Sequence, residues 1–183
     1  MNDIETRDKK EGDEQDQRLI LVDESDQAIG FGEKIWVHRE AALHRAFSIF
    51  VFNEHGELLI QKRSKRKYHS GGLWSNTCCS HPGPDDILEE IIHTRLSAEM
   101  GFDCPLRKVF TFQYRARLDN GLFEHEIDHV YIGAFDDDPS PDPNEVEEWK
   151  WVSIQELTLD IKTQPDLYTF WFRISLEGVL EAR

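Results

Sequence analysis

Cysteine is scarce in this chain, long apolar runs are missing, and positive charge is in short supply. Among 183 residues there are three cysteines, two of them adjacent at Cys78 and Cys79. An odd count with an adjacent pair makes a poor disulfide framework, so reduced thiols and a cytoplasmic setting are expected. No apolar stretch approaches the roughly 20 residues that span a bilayer. The N-terminus lacks the basic-then-apolar pattern of a secretory signal. A membrane partner is therefore not expected. Lysine and arginine total 21 against 36 aspartates and glutamates, a net charge of −15, which argues against nucleic acid as a partner of the whole chain. No glycine-rich dinucleotide fingerprint is present, so no flavin is expected.

What remains is the composition of a globular protein, 39% apolar and 31% charged. Residues 1–17 are polar and aperiodic, and read as a disordered tail. Residues 18–183 are long enough for one domain with a sizeable core. Arg18 to Asp23 and Ala28 to Gly32 read as a hairpin, followed by Lys34 and His38 in a loop or short helix. Ala46 to Phe52 and Glu57 to Lys62 are strands around an Asn53–Gly56 turn. Both are apolar on two faces, as in a sheet covered on both sides. Asp86 to Met100 has helical spacing, with Asp85 as N-cap and Gly101 as terminator. Val109 to Arg117 and Phe123 to Phe135 are strands joined at Asp119-Asn-Gly121. Glu145 to Val152 is a last strand, Ser153 and Glu156 form a capping box, and Leu167 to Glu181 is a C-terminal helix. The order predicts a mixed α/β fold, a sheet between helices.

Three groups of residues carry chemistry. Trp74 to His81 reads Trp-Ser-Asn-Thr-Cys-Cys-Ser-His between Gly71-Gly72 and Pro82-Gly83, a strand end opening into a shaped loop. A thiol there, beside a metal or basic groups, is expected to have a lowered pKa. Glu124, Glu126 and Asp128 alternate along one strand and so share a face. Three carboxylates repel unless the face is solvated or a cation sits among them. With His38, His44 and His81, the Glu124/Glu126 face offers a ligand mix suited to a divalent metal. Lys34, Arg63 and Lys67 stand out against the acidic background as a candidate phosphate site. Glu99, at the end of the predicted helix, would serve a phosphate-bound Mg2+ only if it turns toward the basic loop.

These stretches together resemble the type I isopentenyl-diphosphate isomerases, a Nudix-fold family. The resemblance runs from about Lys34 to Trp171. It rests on His44-Arg-Ala-Phe-Ser48, Leu73 to Pro82, Arg95-Leu-Ser-Ala-Glu-Met-Gly101, Tyr114-Arg-Ala116 and Glu124-His-Glu-Ile-Asp128. It implies a Nudix-like mixed sheet sandwiched between helices, and an enzyme that interconverts isopentenyl and dimethylallyl diphosphate by a 1,3-proton shift. Cys79 and Glu126 would exchange the protons, with Tyr114 bonded at the Glu126 side and Trp171 facing the carbocation. His38, His44, His81, Glu124 and Glu126 would hold one divalent metal, Mn2+, Mg2+ or Zn2+. Glu99 would help hold a diphosphate-bound Mg2+, and Lys34, Arg63, Lys67 and Arg95 would bind the diphosphate.

The hydrolytic Nudix signature is depleted: the window Thr94 to Phe102 keeps only Glu99 of its acidic ligands. A Nudix hydrolase of a nucleoside diphosphate derivative is the rival enzyme reading, and a metal-stabilised binding domain the non-enzymatic one. Monomer and homodimer are both compatible with the sequence.

Overall fold

The computed structural model describes residues 17–183. The expected tail therefore lies outside the described residues except for Gln17. That residue is held in place, its backbone carbonyl accepting from Lys34 N and its side chain donating to His81 O at 3.1 Å.

The hairpin of β1 (Arg18–Val22) and β2 (Ala28–Glu33) leads into the short helix α1 (Lys34–Glu40). The central strand is β3 (His44–Phe52), followed by β4 (Leu58–Arg63) and the short strands β5 (Trp74–Ser75) and β6 (Cys78–Ser80). Helix α2 (Leu88–Met100) crosses to β7 (Leu106–Arg117) and β8 (Phe123–Ala134). β9 (Val146–Val152) and helices α3 (Ile154–Thr163) and α4 (Phe170–Ala182) complete the chain. Among the described residues, the nine strands join one mixed sheet. β3 runs parallel to β8 along one edge, and its other edge meets β1, β6 and β4 in turn.

β3 is apolar on both sides because each side has its own core. Phe50 and Phe52 pack with Trp171, Phe172, Leu176 and Val179 of α4 and Leu157 of α3. Phe47, Ile49 and Val51 pack with Ile92, Leu96 and Met100 of α2. This is the predicted sheet between helices. Among the described residues, no helix is long and apolar enough to cross a membrane.

One local expectation is corrected. α2 starts at Leu88 with Ile87 at its N-cap and no side-chain cap, so Asp85 does not cap it. The neighbouring Asp86 is engaged in the preceding turn, where its carboxylate accepts from Gly83 N at 2.6 Å. The expected turn at Asp119–Gly121 joins antiparallel β7 and β8; it closes as a 3-10 turn with Asn120 left-handed at φ 60°. Half of the expected capping box forms: Ser153 Oγ accepts from Glu156 N, while the Glu156 carboxylate takes the Ser153 hydroxyl instead of the Ser153 backbone N–H.

Gly101 terminates α2 at φ +77°, and a Cβ there would lie 2.1 Å from the Ser140 carbonyl oxygen. Both the left-handed backbone and the backbone clash oppose a side chain. Gly101→Ala should therefore cost more than about 1 kcal/mol of stability in urea unfolding; an unchanged midpoint would contradict the placement of the 140 segment against this helix end.

Candidate active site

Strand register assembles the site. β8 lies between β3 and β7, so its carboxylate row is central in the sheet, not on a solvated edge. Parallel pairing sets His44 opposite Glu126, and antiparallel pairing sets Tyr114 opposite Glu126 and Ala116 opposite Glu124. On the other side of β3, Ser48 faces Cys79. Directly paired residues share a sheet face, so His44, Ser48, Cys79, Tyr114, Glu124, Glu126 and Asp128 all point to the α4 side. Cys78, one residue away, points to the other core and packs against α2.

Burial of three carboxylates demands compensation. Glu124, Glu126 and Asp128 are each buried. Glu124 Oε2 lies 3.1 Å from His38 Nε2, and Glu124 Oε1 lies 3.2 Å from His69 Nε2. Glu126 Oε1 pairs with His81 Nε2 at 2.7 Å, and its Oε2 accepts the Tyr114 hydroxyl at 2.7 Å. Burial raises the pKa of both glutamates, but the imidazoles outweigh it: Glu124 is held well below the carboxylate range, by His38 and His69, and Glu126 below it, by His44 and His81. Asp128 has only the Ser48 hydroxyl, at 2.7 Å. Burial and the Glu126 charge push it well above the usual range, so it keeps its proton. The mutual repulsion of the row is thus relieved by neutralising its innermost member.

Among the described residues, His38, His44, His81 and Glu124 bring one ligand atom each within 4.8 Å of one another, which suggests a metal site. The donor chemistry fits a cation. Nδ1 of His38 faces the Lys34 carbonyl at 2.6 Å and Nδ1 of His44 the Ala42 carbonyl at 2.9 Å. A carbonyl only accepts, so each Nδ1 carries hydrogen, and Nε2 is the ring atom each histidine turns toward the carboxylates, the one through which it could hold a cation. His44 Nε2 is buried without a hydrogen bond, as is Glu124 Oε2. Glu126 borders this group, its Oε1 lying 3.5 Å from His44 Nε2. Glu99 is elsewhere: it is buried, with its oxygens taken by Gln61 Nε2 at 2.5 Å and Arg95 Nη2 at 3.2 Å.

Next to the cluster is a cavity of about 730 Å3, lined by Cys79, Glu126, Tyr114 and Trp171 and by the four predicted anion-binding residues Lys34, Arg63, Lys67 and Arg95. Convergence of these cations is what an anionic ligand requires. They already have neighbours. Lys67 pairs closely with Glu145, and Arg95 bridges Glu99 and Glu145. Lys34 lies over the Tyr68 ring and Arg63 over the Trp171 ring, 5.3 Å from its centroid. The Trp171 Nε1–H is fixed by Ser75 Oγ and Asn76 Oδ1, both at 3.2 Å.

The expected lowering of the Cys79 pKa is overturned. Burial pushes the thiol up to about 12, against the opposing pull of Arg63, and the charges of Glu99 and Glu126 add to the rise. Cys79 is therefore a protonated thiol at neutral pH, beside an ionised Glu126. Sequence reasoning also missed Tyr68 and His69, which line the cavity. The one cue to them in the sequence is position, between the basic loop and the Gly71-Gly72 pair.

With the geometry in place, comparison with known proteins is informative. The NUDIX domain family matches residues 42–173. The chain is 49% identical over 166 residues to "Isopentenyl-diphosphate Delta-isomerase 2" of Aromatoleum aromaticum, covering 91% of this chain and 88% of that one. It is 51% identical over 164 residues to the protein of the same name from Photorhabdus laumondii, covering 90% and 93%. A Deinococcus radiodurans structure superposes with TM-score 0.68 at 19% identity, over 81% of this chain and 90% of that one. A MutT protein from Methanosarcina mazei gives 0.61 at 20%, over 74% and 91%. At those identities the two structures speak to the fold alone.

The raised thiol pKa is measurable. In the native protein, iodoacetamide should alkylate Cys79 at pH 8 on the order of a hundredfold or more slower than a solvent-exposed cysteine, because thiolate is scarce. The rate should keep climbing by about tenfold per pH unit past pH 9. A rate that levels off below pH 9, followed by peptide mapping, would contradict the assigned protonation.

Proposed function

We infer that this chain, which belongs to the type I isopentenyl-diphosphate isomerases of the NUDIX family, interconverts isopentenyl and dimethylallyl diphosphate with Cys79 and Glu126 as its proton-transfer pair. The observation that carries this is one cavity lined by a protonated thiol, an ionised carboxylate, an indole and four convergent cations. Isomerisation adds a proton to the terminal methylene carbon and removes one from C2, so it needs an acid and a base in place together. The charge states of Cys79 and Glu126 meet that need before any substrate arrives.

An alkene is a feeble base, so its protonation depends on excluding water and on stabilising the tertiary cation at C3. Trp171 offers a fixed aromatic face for that cation. The hydroxyl of Tyr114 holds one oxygen of Glu126, leaving the carboxylate oriented toward the slot and fixing the path of its proton. Lys34, Arg63, Lys67 and Arg95 take the diphosphate, and this remote binding energy seats a small hydrocarbon tail that could not otherwise hold itself in register. A divalent metal, Mn2+, Mg2+ or Zn2+, held by His38, His44, His81 and Glu124 beside Glu126 would supply positive charge that tunes the carboxylate's proton affinity. Glu99 is assigned to a diphosphate-bound Mg2+, a role that requires Arg95 to release it toward the cavity. The depleted hydrolytic signature around Glu99 weighs against phosphate release as the reaction.

Incubation with isopentenyl diphosphate and Mg2+, without flavin, should yield the dimethylallyl isomer, followed by NMR of the new methyl signals. Cys79→Ala and Glu126→Gln should each lower kcat by at least about a thousandfold, the scale of losing an essential proton-transfer group, while circular dichroism stays native. Inorganic phosphate release, or turnover surviving both substitutions, would refute the assignment.

Chelation should stop turnover and leave the fold intact. Loss of the native circular dichroism on chelation would instead favour a structural metal site.

A further inference from the structure

Glu124 is held from two sides, and only one of them belongs to the proposed ligand set. Its Oε2 faces His38 Nε2 at 3.1 Å and His44 Nε2 at 3.7 Å, and makes no hydrogen bond. Its Oε1 faces the other way, toward His69 Nε2 at 3.2 Å. His69 is buried in the cavity wall and is itself fixed. Its Nδ1 lies 3.1 Å from Ser70 Oγ, its carbonyl accepts from Arg63 Nη2 at 3.4 Å, and its ring stands edge-on to Trp171 at 6.0 Å. Ser70 turns the chain at φ 52°, with its N–H bonded to Asp119 Oδ1.

We propose that His69 is a positioning residue of the metal centre, donating Nε2–H to Glu124 Oε1 so that Oε2 alone is presented to the cation. The tautomer follows from the partners. An ionised carboxylate oxygen only accepts, so Nε2 carries the hydrogen, and Nδ1 is left to accept from the Ser70 hydroxyl. Two oxygens of a free carboxylate are equivalent and the group can rotate. A donor on one of them removes that freedom and sets the ligand's angle, the usual role of an outer partner at a metal site. The same ring stands against Trp171, so the residue that orients the ligand also supports the aromatic wall. His69 is not itself a ligand here, since it lies outside the four-residue group.

This inference rests on the metal-site reading of the previous subsection, and the test separates the two. Mn2+ is titrated calorimetrically into the metal-stripped full chain, using wild type, H69Q, H69L, H69F and, as control, E124Q. Leucine and phenylalanine fill the space without a donor, and two such variants guard against loss of fold in either. Glutamine restores an N–H at the position of Nε2. H69L or H69F should weaken Mn2+ binding by about 10- to 100-fold, and H69Q should recover most of that loss. Affinity equal to wild type in a folded H69L or H69F overturns the role of His69 and leaves the metal site standing. So does an H69Q no better than these. Wild-type binding that is absent, or indifferent to E124Q, overturns the site and this inference with it.

Discussion

Two ionised carboxylates buried side by side dominate the energetics of this molecule. An unpaired buried charge costs several kcal/mol, so Glu124 and Glu126 oblige their surroundings to answer them. The answer comes from four separate parts of the chain. α1 brings His38, the start of β3 brings His44, the loop before β5 brings His69, and the segment after β6 brings His81. Tyr114 adds a hydroxyl from the neighbouring strand. Much of what looks like loop arrangement is therefore arrangement around two acids. The parallel pairing of β3 with β8 makes this possible, because it alone puts His44 level with Glu126.

The same crowding separates proton affinities over a short distance. Imidazoles hold Glu126 ionised, while Asp128, two residues further along the face and deprived of cationic partners, keeps its proton. Cys79, half-buried in the cavity wall, keeps its proton as well, because desolvation and the charges of Glu99 and Glu126 outweigh the pull of Arg63. His81 is pushed down to about 4 by burial, so it meets Glu126 as a neutral donor rather than as an imidazolium. His44 moves the opposite way: burial disfavours its cation, but Glu126 and Glu124 outweigh that and raise its pKa. Environments that drive neighbouring groups apart in this way supply an acid and a base at one pH. The cavity then needs only a wall that tolerates a carbocation and an end that tolerates a diphosphate. Trp171 and the cations Lys34, Arg63, Lys67 and Arg95 line the same cavity, and the proposed reaction would use them for these two ends.

Much of this was legible before any coordinates. Alternation along Phe123 to Asp128 put the three carboxylates on one face, and the Asn76 to Pro82 run marked the thiol loop. The two-sided apolar character of β3 announced helices above and below it. What could not be read depends on register and environment. No spacing rule sets His44 opposite Glu126 or Ser48 opposite Cys79, because strand partners are chosen by the whole sheet. The direction of the Cys79 shift was misjudged because basic neighbours are visible in sequence while burial is not. Asp85 looked like a cap until the turn at Gly83 claimed its neighbour Asp86. His69 was passed over because a lone histidine in a polar loop carries little information until its partner is known.

If a thiol and a carboxylate share the proton transfer, the hydrogen that arrives is a different one from the hydrogen that leaves. Running the reaction from isopentenyl diphosphate in D2O and examining the first dimethylallyl diphosphate formed by NMR tests this directly. Two protein groups that exchange with solvent should place one deuteron in the newly made methyl group at each turnover. Product that forms at full rate in D2O with no deuterium in that methyl would mean the hydrogen migrates within the substrate, and the paired thiol and carboxylate would lose their purpose.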